Sequence, residues 1–539
     1  MRWAGWGDPA KSRELPDQVL KLLHDLLGVR PPPAPAATME SVELPPIALP
    51  EPLLRALAGV VGEEHVLTSR ADRVRHTRGK STPDLLRMRA GDGSDAPDAV
   101  VLPGSHEEVA ALLRLCTTER IAVVPFGGGT SVVGGLQASR TGFAGVIALD
   151  LGRLDRLRSV DTESMVAEFE PGVRAPDAER LLAAHGLTLG HVPQSFEYAT
   201  LGGFAAARSS GQASAGYGRF DDMVVGLTVA TPSGDLHLGR APKSAAGPDL
   251  RQLLLGSEGV FGIITSLRLR VRRAPAERLY ERWRFASFAA GSAALRMIAQ
   301  EGPLPAVLRL SDENETTFGL AKPETIDPGG EAGCLAIVGY EGRPATGRDG
   351  VGASAAGPGI SLADRRDAVA GVLQRMGGEP AGEVSGEEWE RGRFSAPYLR
   401  DALLAAGATV ETLETAGFWA DLPRLYDAVR LALLGELGSP LVMCHISHVY
   451  ETGASLYFTV VTAQEEDPVA QWERAKAAVS AAIVEVGGTI THHHGVGRDH
   501  IDAYAAELGP VGVAILQAVK SRLDPAGILN PGVLIPRTG

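Results

Sequence analysis

The segment AVVPFGGGTS, Ala122 to Ser131, constrains the fold of this 539-residue chain most strongly. An apolar run ends at Pro125, and three consecutive glycines then lead into two hydroxyl residues. Glycine N–H groups can converge on an anion because no Cβ atom blocks the approach. The spacing matches neither GxGxxG nor a Walker A loop, and the GKST at Gly79 to Thr82 fails the Walker pattern because Val74 stands where a glycine is required. The segment therefore predicts a strand followed by an anion-binding loop, with a flexible turn as the alternative.

Composition excludes several classes of protein. The 52 Lys and Arg against 65 Asp and Glu give a net charge of −13, so no overall positive field attracts nucleic acid. The three cysteines, Cys116, Cys334 and Cys444, show no CxxC spacing, which argues against a disulfide framework or a thiolate zinc site. The N-terminus lacks a secretory signal, and no run reaches the roughly 18 apolar residues that span a bilayer. We expect a cytoplasmic protein whose membrane contact, if any, is peripheral.

Strand-like and helix-like segments alternate along the chain, which indicates α/β or α+β layering. The strand-like runs are Ala99 to Leu102, Ala122 to Pro125, Gly145 to Leu149, Met223 to Thr231, Ala336 to Tyr340 and Leu456 to Thr462. Helical periodicity marks His106 to Cys116 and an amphipathic stretch, Leu15 to Leu27, which precedes the proline-rich connector Arg30 to Thr38. Few apolar residues occur in Gly342 to Ile360, which we interpret as a mobile surface loop.

Two further glycine-bearing segments, Pro193 to Gly211 and Gly256 to Leu269, suggest a long ligand that contains a pyrophosphate. The order PFGGGTS, TLGG, GSEGxxGIIT and a C-terminal LNPG resembles the FAD-binding fold of the vanillyl-alcohol oxidase and para-cresol methylhydroxylase superfamily. Within it the chain is most similar to the alkylglycerone-phosphate synthase (alkyldihydroxyacetonephosphate synthase) family. The similarity runs from RWAGWGDP at Arg2 through LRLSDENETTFG, PYLRD and HVYETGASLYF to THHHGVG.

The resemblance implies an α+β fold, with a two-subdomain FAD-binding domain of the PCMH type and an α+β cap built on an antiparallel sheet. We expect an N-terminal extension over residues 1–50, the FAD domain over 51–275, the cap over 276–515, and a segment over 516–539 that returns to the FAD domain.

The resemblance also assigns the cofactor site. The residues implied for the FAD pyrophosphate, flavin, ribityl and adenine contacts are Pro125, Gly127, Gly128, Gly129, Thr130, Ser131, Pro193, Ser195, Thr200, Gly202, Gly203, Gly259, Gly262 and Ile264. Superfamily members with covalent flavin often carry a histidine near the first glycine loop. This loop has none, so we predict non-covalent, dissociable FAD.

The activity implied is exchange of the acyl group of acyl-dihydroxyacetone phosphate for a fatty alcohol, through a flavin N5 adduct without net redox change. The catalytic residues implied are Tyr457, His492, His493, His494, Arg309 and Arg400. Tyrosine and histidines suit proton transfer, and arginines suit binding of a phosphate dianion. The alternative for each arginine is a structural ion pair, Arg309 with Asp312 and Arg400 with a neighbouring carboxylate. The alternative function is an FAD-linked oxidase or dehydrogenase of a hydroxy acid or alcohol.

The three consecutive histidines follow GGTITH, which looks like a strand. An extended backbone would turn His492 and His494 to one side and His493 to the other, so one metal ion could bind two of them at most, with His445, His448 or carboxylates as further ligands. We predict no bound metal.

Three departures from the family pattern concern the substrate pocket and its surroundings: small residues at Ala405 to Gly407, Gln194 in place of an aspartate, and the continuation Arg498-Asp499-His500. No peroxisomal address is visible. The expected partners are a small lipid substrate and a second copy of the chain in a homodimer, with membrane contact through Leu15 to Leu27 and no nucleic acid.

Overall fold

The structure, a computed structural model, describes residues 1–12, 14–318, 333–342, 361–384 and 393–536. The helices are α1 (Asp17–Leu27), α2 (Glu51–Val61), α3 (Arg70–Arg75), α4 (Thr82–Arg89), α5 (His106–Glu119), α6 (Ala175–Ala183), α7 (Leu201–Ala207), α8 (Ser214–Tyr217), α9 (Phe220–Met223), α10 (Arg251–Leu254), α11 (Phe288–Glu301), α12 (Glu313–Phe318), α13 (Leu362–Arg375), α14 (Ala396–Ala405), α15 (Leu422–Leu437), α16 (Pro468–Glu485) and α17 (Ile501–Leu523). Short 3₁₀ turns occupy Pro9–Lys11, Met39–Ser41 and Glu63–His65.

The strands are β1 (Val66–Leu67), β2 (Ala99–Val101), β3 (Ile121–Phe126), β4 (Gly145–Asp150), β5 (Leu157–Asp161), β6 (Val166–Phe169), β7 (Leu187–Thr188), β8 (Val224–Thr231), β9 (Gly234–Leu238), β10 (Ile263–Arg270), β11 (Arg272–Arg273), β12 (Glu277–Phe285), β13 (Val307–Ser311), β14 (Cys334–Gly342), β15 (Glu379–Val384), β16 (Ala408–Phe418), β17 (Leu441–Ile446) and β18 (Gly453–Ala463).

The N-terminal half contains two main sheets. One has the order β1-β2-β4-β3, in which β2, β4 and β3 run parallel; the other is antiparallel with the order β5-β6-β10-β8-β9. Five of the six residues of β3 are buried, as expected of a β-branched strand covered on both faces. Leu112, Leu113 and Cys116 of α5 pack in the same apolar cluster as β2, β3 and β4. The glycine loop begins directly after β3 and is therefore held at the edge of a rigid core.

The C-terminal half is built on a seven-stranded antiparallel sheet with the order β15-β12-β14-β13-β17-β18-β16. Along β18, Leu456, Phe458 and Val460 lie in an apolar core with residues of α11, α13, α15 and α16. Because side chains alternate along a strand, Tyr457 and Thr459 project to the opposite side, here called the site face. On the same side of β14, Glu341 accepts a hydrogen bond from Tyr217 of the N-terminal half. The site face is therefore turned towards the N-terminal half.

The last segment of the chain returns to the first sheet. The N–H of Val123 in β3 donates to the carbonyl of Ile528 at 2.8 Å, and the N–H of Asn530 donates to the carbonyl of Val123 at 2.8 Å. These two bonds form a parallel bridge between Val123 and Leu529. No helix in the described part of the chain is long and apolar enough to cross a membrane.

The α+β architecture predicted from the sequence is confirmed, and each strand-like run proposed above overlaps a strand. The exception is GGTITH, which is irregular apart from one bridge between Thr489 and Ala416; the prediction of a strand there was wrong. The predicted surface loop lies outside the described residues apart from its first residue, Gly342, which ends β14. The domain boundaries remain a proposal. The one proposed after residue 515 falls inside α17, five residues after Pro510, where the helix is kinked at Gly509–Pro510.

Candidate active site

The glycine loop, residues 127–131, packs tightly against the TLGG segment. A Cβ atom at Gly127 would lie 2.5 Å from the Thr200 side-chain oxygen, and one at Gly128 would lie 2.1 Å from the Tyr198 carbonyl oxygen. Thr200 also caps α7 by accepting a hydrogen bond from the N–H of Gly203 at 3.2 Å. Glycine is therefore required here for a close backbone approach between two of the motifs found in the sequence.

The other two motifs meet the same loop. A Cβ atom at Gly259 would lie 2.3 Å from Pro125. The side-chain amide of Asn530, from LNPG, donates to the Gly135 carbonyl at 3.1 Å and to the Glu258 carbonyl at 2.8 Å. Four segments that are distant in sequence thus form one site.

The free hydrogen-bonding groups of this site fit a pyrophosphate and a flavin. Among the described residues, none accepts a hydrogen bond from the backbone N–H groups of residues 127–131. The buried side-chain nitrogen of Gln194, between the predicted residues Pro193 and Ser195, also lacks a partner within the ranges described. The remaining predicted cofactor residues lie at the start of α7 (Gly202, Gly203) and at the start of β10 (Gly262, Ile264), with Thr130 and Ser131 in the loop itself. A row of orphaned donors at the end of a strand is suited to bind an anion.

A histidine that packs beside the glycine loop, His76, does not present a free nitrogen. The His76 ring packs on Phe126, with the ring centroids 4.3 Å apart. Its Nδ1 is hydrogen bonded to the Asp72 carbonyl at 2.8 Å and its Nε2 to Asp150 at 2.9 Å. Dissociable FAD remains our prediction.

Gly128→Ala should abolish FAD retention. The added Cβ would meet backbone atoms at Tyr198, which cannot move without displacing the TLGG segment. Gly435→Ala is the matched control, since a Cβ there meets nothing within 4 Å. We expect a colourless Gly128→Ala protein and a yellow control, measured by the ratio of flavin absorbance to protein absorbance. Equal flavin content in the two variants would contradict the assignment of this loop.

A row of polar residues crosses the site face of the large sheet. The strand register pairs Ser311 with His445, His445 with Tyr457, and Tyr457 with Glu414. Because paired residues on neighbouring strands share a face, these side chains are neighbours. The His445 and Tyr457 rings are stacked, with centroids 4.9 Å apart and planes at 19°. Tyr457, predicted from the resemblance to be catalytic, thus stands in the middle of this row.

Glu414 organises the histidine loop, residues 491–495. One carboxylate oxygen accepts the N–H groups of His493 at 3.0 Å and His494 at 2.9 Å and the Thr491 hydroxyl at 2.7 Å. The other oxygen accepts the N–H of His492. One buried carboxylate thus captures three successive backbone donors. The backbone turns around it and is not extended, so the prediction that His493 faces away from its neighbours was wrong.

The cluster combines one ionised carboxylate, Glu414, with three neutral imidazole rings. Burial alone would raise the pKa of Glu414, but the backbone N–H donors of the histidine loop and the Thr491 hydroxyl hold it well below its usual value. Burial lowers the pKa of all three imidazoles, that of His494 to about 3. Glu414 is therefore ionised and the histidines are neutral at physiological pH.

The ring nitrogens of His448, His492 and His493 lie within 4.8 Å of one another, a grouping that could hold a metal ion. Both nitrogens of His492 are already hydrogen bonded, Nε2 to the Tyr450 hydroxyl at 2.6 Å and Nδ1 to the Nδ1 of His493 at 3.0 Å. His448 Nδ1 is hydrogen bonded to Ser210 at 3.2 Å. The His448 and His492 rings are stacked at 23°, so their in-plane lone pairs do not converge well on one point. We interpret the cluster as a hydrogen-bonded network, and the absence of a metal stays a prediction.

Arg309 reaches the cluster but is paired with a carboxylate. Its guanidinium lies 2.8 Å from Glu315 and 3.1 Å from the Nδ1 of His445. The pairing with Asp312 considered above does not occur, because Asp312 caps α12 by accepting the N–H of Glu315 and also accepts the Tyr426 hydroxyl. Burial raises the pKa of Glu315 on its own, yet His445 and Arg309 lower it to about 2. Arg309 therefore orients His445 beside Tyr457.

Arg400 keeps donors free. One nitrogen donates to the Lys80 carbonyl at 2.6 Å, and another forms the ion pair considered above, with Asp401 at 3.5 Å, a distance too long for a good hydrogen bond. Its Nε and Nη2 atoms are buried and have no hydrogen-bond partner among the described residues. Its charge also acts on Tyr457, whose pKa it lowers against the larger effect of burial. A buried cation with unused donors is suited to bind an anionic group of a substrate.

An apolar cavity of about 180 Å³ lies further along the same face of the sheet. Its lining comes from α1, α12, α14 and the strands β17 and β18: Val19, Leu22, Leu23, Leu26, Leu27, Phe318, Leu399, Leu403, Pro440, Leu441 and Val461. Val461 follows Tyr457 by four residues, or about 13 Å along an extended strand. The polar row and the apolar cavity therefore occupy one continuous surface.

Sequence reasoning missed Glu414, Glu315 and Tyr450. The sequence did contain an indication of Glu414, because TVETLETAGF places two glutamates in an apolar, β-branched run. A charge inside a buried strand indicates a paired or functional group. Tyr450 left none, because its role depends on contacts with residues distant in the chain.

Comparisons with known proteins agree with this geometry. The family model described as FAD binding domain matches residues 97–239, and the one described as FAD linked oxidases, C-terminal domain, matches residues 274–534. Alkyldihydroxyacetonephosphate synthase of Trypanosoma brucei brucei is 31% identical over 99% of this chain and 92% of its own length. The Dictyostelium discoideum protein of the same name is 32% identical over 93% of this chain and 84% of its own. A solved structure of an alkyldihydroxyacetonephosphate synthase superposes with a TM-score of 0.82 at 28% identity and covers 98% of both chains.

Proposed function

The chain belongs to the alkyldihydroxyacetonephosphate synthase family, and from this premise we propose that it is an FAD-dependent synthase that exchanges the acyl group of acyl-dihydroxyacetone phosphate for a fatty alcohol. The observation that carries the proposal is the polar cluster around Tyr457, which combines neutral histidines and the unused guanidinium donors of Arg400 with an apolar cavity on one sheet face. An anionic, long-chain substrate needs each of these parts.

In this reaction the bond from the glycerone carbon to the acyl carboxylate breaks, and a bond to the alcohol oxygen forms. The proton of the alcohol balances the released fatty acid, so no net oxidation occurs. Bound FAD supplies an isoalloxazine ring that can accept and return an electron pair within the cycle. The residues at 127–131, 193–195, 200–203 and 259–264 would hold it.

The proton transfers are assigned to Tyr457 and the three histidines. Burial raises the pKa of Tyr457 to about 12, so its phenol is protonated at neutral pH and acts as a donor. The imidazoles are neutral and can accept a proton from carbon or from the alcohol.

Substrate binding is divided between the charged and apolar parts of the site face. Arg400 supplies free guanidinium donors for the phosphate group, whereas Arg309 acts through His445. The hydrocarbon chain fits the apolar cavity, where burial contributes about 0.8 kcal/mol per methylene group.

The test is incorporation of labelled fatty alcohol into acyl-dihydroxyacetone phosphate by the purified holoenzyme, with alcohols of several chain lengths. Ether product with equimolar release of fatty acid supports the proposal. Absence of ether product at every chain length would reject it.

Anaerobic spectroscopy distinguishes the proposed synthase from the alternative, an FAD-linked oxidase of a hydroxy acid or alcohol. An oxidase substrate bleaches the flavin and leaves it reduced, whereas the synthase cycle ends with oxidised flavin. The family assignment favours the synthase, because relatives at 31% and 32% identity are synthases over almost the whole chain.

We also propose peripheral membrane contact through α1 and a homodimer. Leu20 and Leu26 of α1 are 40% and 57% exposed, while Leu22 and Leu23 line the apolar cavity, so α1 connects the surface with that cavity. On α15, Leu431 and Leu434 form an exposed apolar stripe on which a second copy can pack, and light scattering on the holoenzyme measures the oligomeric state.

The double substitution Leu20→Asp and Leu26→Asp should reduce co-sedimentation with liposomes of neutral phospholipid several-fold. Two carboxylates on an interfacial helix face oppose insertion. The control is Val511→Asp with Ile515→Asp on α17, two residues that are 73% and 57% exposed and belong to neither proposed surface; it should leave liposome binding unchanged. Equal binding by wild type and the α1 variant would remove α1 as the membrane contact.

A further inference from the structure

A chain of contacts links the N-terminal half to the histidine loop. Arg219, which precedes α9, forms an ion pair with Asp221 at 3.0 Å, and its guanidinium acts on the Tyr450 hydroxyl, whose pKa it lowers against the larger effect of burial. The Tyr450 hydroxyl lies 2.6 Å from the Nε2 of His492. The Nδ1 of His492 lies 3.0 Å from the Nδ1 of His493.

The donor inventory gives this chain a direction. A guanidinium has only donors, so Arg219 cannot accept the Tyr450 hydroxyl proton. Among the described residues, His492 Nε2 is the sole hydrogen-bond partner of that hydroxyl, so its proton points to Nε2. A neutral imidazole that accepts at Nε2 carries its proton on Nδ1.

The same reasoning fixes the next ring. His492 Nδ1 then donates to His493 Nδ1, which must be an acceptor. A neutral His493 therefore carries its proton on Nε2. Burial lowers the pKa of both imidazoles, which keeps each ring in a single-proton form. Burial also raises the pKa of Tyr450 to about 12 against the opposing effect of Arg219, so the hydroxyl proton is retained.

We propose that Tyr450 is a positioning residue that sets the tautomers of His492 and His493, so that His493 enters the reaction as an N–H donor from Nε2. This inference rests on the proposed function and deepens it, because it separates the histidines by role. His493 donates to an oxygen of the substrate, whereas His494 contacts this chain of bonds only through its neighbour's ring and meets Tyr457 edge-on.

The arrangement also places the donor beside the proposed acid. The His493 ring lies nearly parallel to that of Tyr457, with centroids 5.9 Å apart and planes at 21°. His493 is held from behind by Glu414, which accepts its backbone N–H at 3.0 Å. The Nδ1 of His493 also lies 3.7 Å from the other Glu414 oxygen, beyond hydrogen-bond distance, so the hydrogen bond that fixes the ring is the one to His492, which depends on Tyr450.

Tyr450→Phe tests the proposal. It removes the hydroxyl and keeps the ring, so we expect kcat to fall about 10- to 100-fold, below the full effect of losing a general acid, with KM and FAD content unchanged. The decisive measurement is ¹⁵N NMR of the histidine rings in labelled holoenzyme, which reports the protonated nitrogen of each ring. Wild type should show Nδ1–H at His492 and Nε2–H at His493, and Tyr450→Phe should show mixed tautomers at both.

The control is Tyr340→Phe, since Tyr340 is buried on the opposite face of the same sheet, and it should leave tautomers and kcat unchanged. If Tyr450→Phe does not fold, Arg219→Gln replaces it, because an amide offers both a donor and an acceptor to Tyr450 and should give the same mixed tautomers.

A wild-type His493 protonated on Nδ1, or tautomers unchanged in the folded variant, would overturn the inference. The NMR signature does not depend on the reaction catalysed. Failure of the synthase assay with the predicted tautomers present would therefore count against the proposed function alone.

Discussion

Glu414→Gln should free the histidine loop and lower turnover about 100- to 1000-fold, within the range expected when positioned acid–base groups are lost. Both carboxylate oxygens accept backbone donors, one from His492 and the other from His493 and His494. Whichever way the glutamine amide is placed, its NH₂ group faces at least one N–H donor. The substitution therefore leaves a buried donor unsatisfied, at a cost of about 2–3 kcal/mol.

The lower stability of the histidine loop in Glu414→Gln should be measurable without an activity assay. A weakening of about 2–3 kcal/mol corresponds to about 30- to 150-fold faster amide hydrogen exchange, if the loop exchanges by local opening. Mass spectrometry of a peptide covering residues 489–497 measures this rate. Glu411→Gln is the control, because Glu411 lies three residues earlier in β16 and accepts the N–H groups of Thr82 and Thr412 instead. Unchanged exchange at residues 489–497 in Glu414→Gln would contradict the role assigned to Glu414.

The pH dependence follows from the direction of the pKa shift. The pKa of folded Glu414 lies well below its usual value of about 4.3, despite the opposing effect of burial, because the backbone donors of the histidine loop favour the anion. Such a group contributes stability above the unfolded pKa and loses it as pH falls through the folded pKa. Exchange in the wild-type loop should therefore show no Glu414-dependent change between about pH 5 and 8.

The sequence was informative where function depends on short motifs. The β-branched run and triple glycine predicted β3 and its loop, and the order of four glycine motifs indicated the FAD fold. Local pattern suffices there because a strand and the loop that follows it are specified by adjacent residues.

Contacts between residues that are distant in the chain could not be predicted from the sequence. The histidine loop would be extended by its own residues, but Glu414, nearly eighty positions earlier in the chain, bends it by capturing three N–H groups. From its closeness in sequence, Asp312 was the predicted alternative partner of Arg309. In the structure Asp312 caps α12, and Arg309 pairs with Glu315 instead. In both cases a tertiary hydrogen bond or a helix cap competes with the nearest neighbour in sequence, and only the folded structure shows which contact forms.

Tyr457→Phe should lower kcat about 10²- to 10⁴-fold, the contribution typical of a general acid. The Tyr457 ring is stacked on His445 at 4.9 Å, lies 5.9 Å from the ring of His493 and meets His494 edge-on at 5.6 Å. Phenylalanine preserves these ring contacts and removes only the hydroxyl. FAD content and thermal stability should therefore remain close to wild type, and the loss should fall on kcat more than on KM.

The pKa of Tyr457 adds a second test of the same substitution. Burial raises it to about 12, and the nearby Glu411 and Glu414 add to this, while Thr412 and Arg400 oppose it. The hydroxyl therefore stays protonated as pH rises from 7 to 10, and the wild-type rate should show no loss from phenol ionisation in that interval. Tyr340→Phe, on the opposite face of the sheet, should keep wild-type kinetics. A Tyr457→Phe enzyme that retains more than about a third of wild-type kcat would show that another group carries the proton, because loss of a general acid should cost at least about 100-fold.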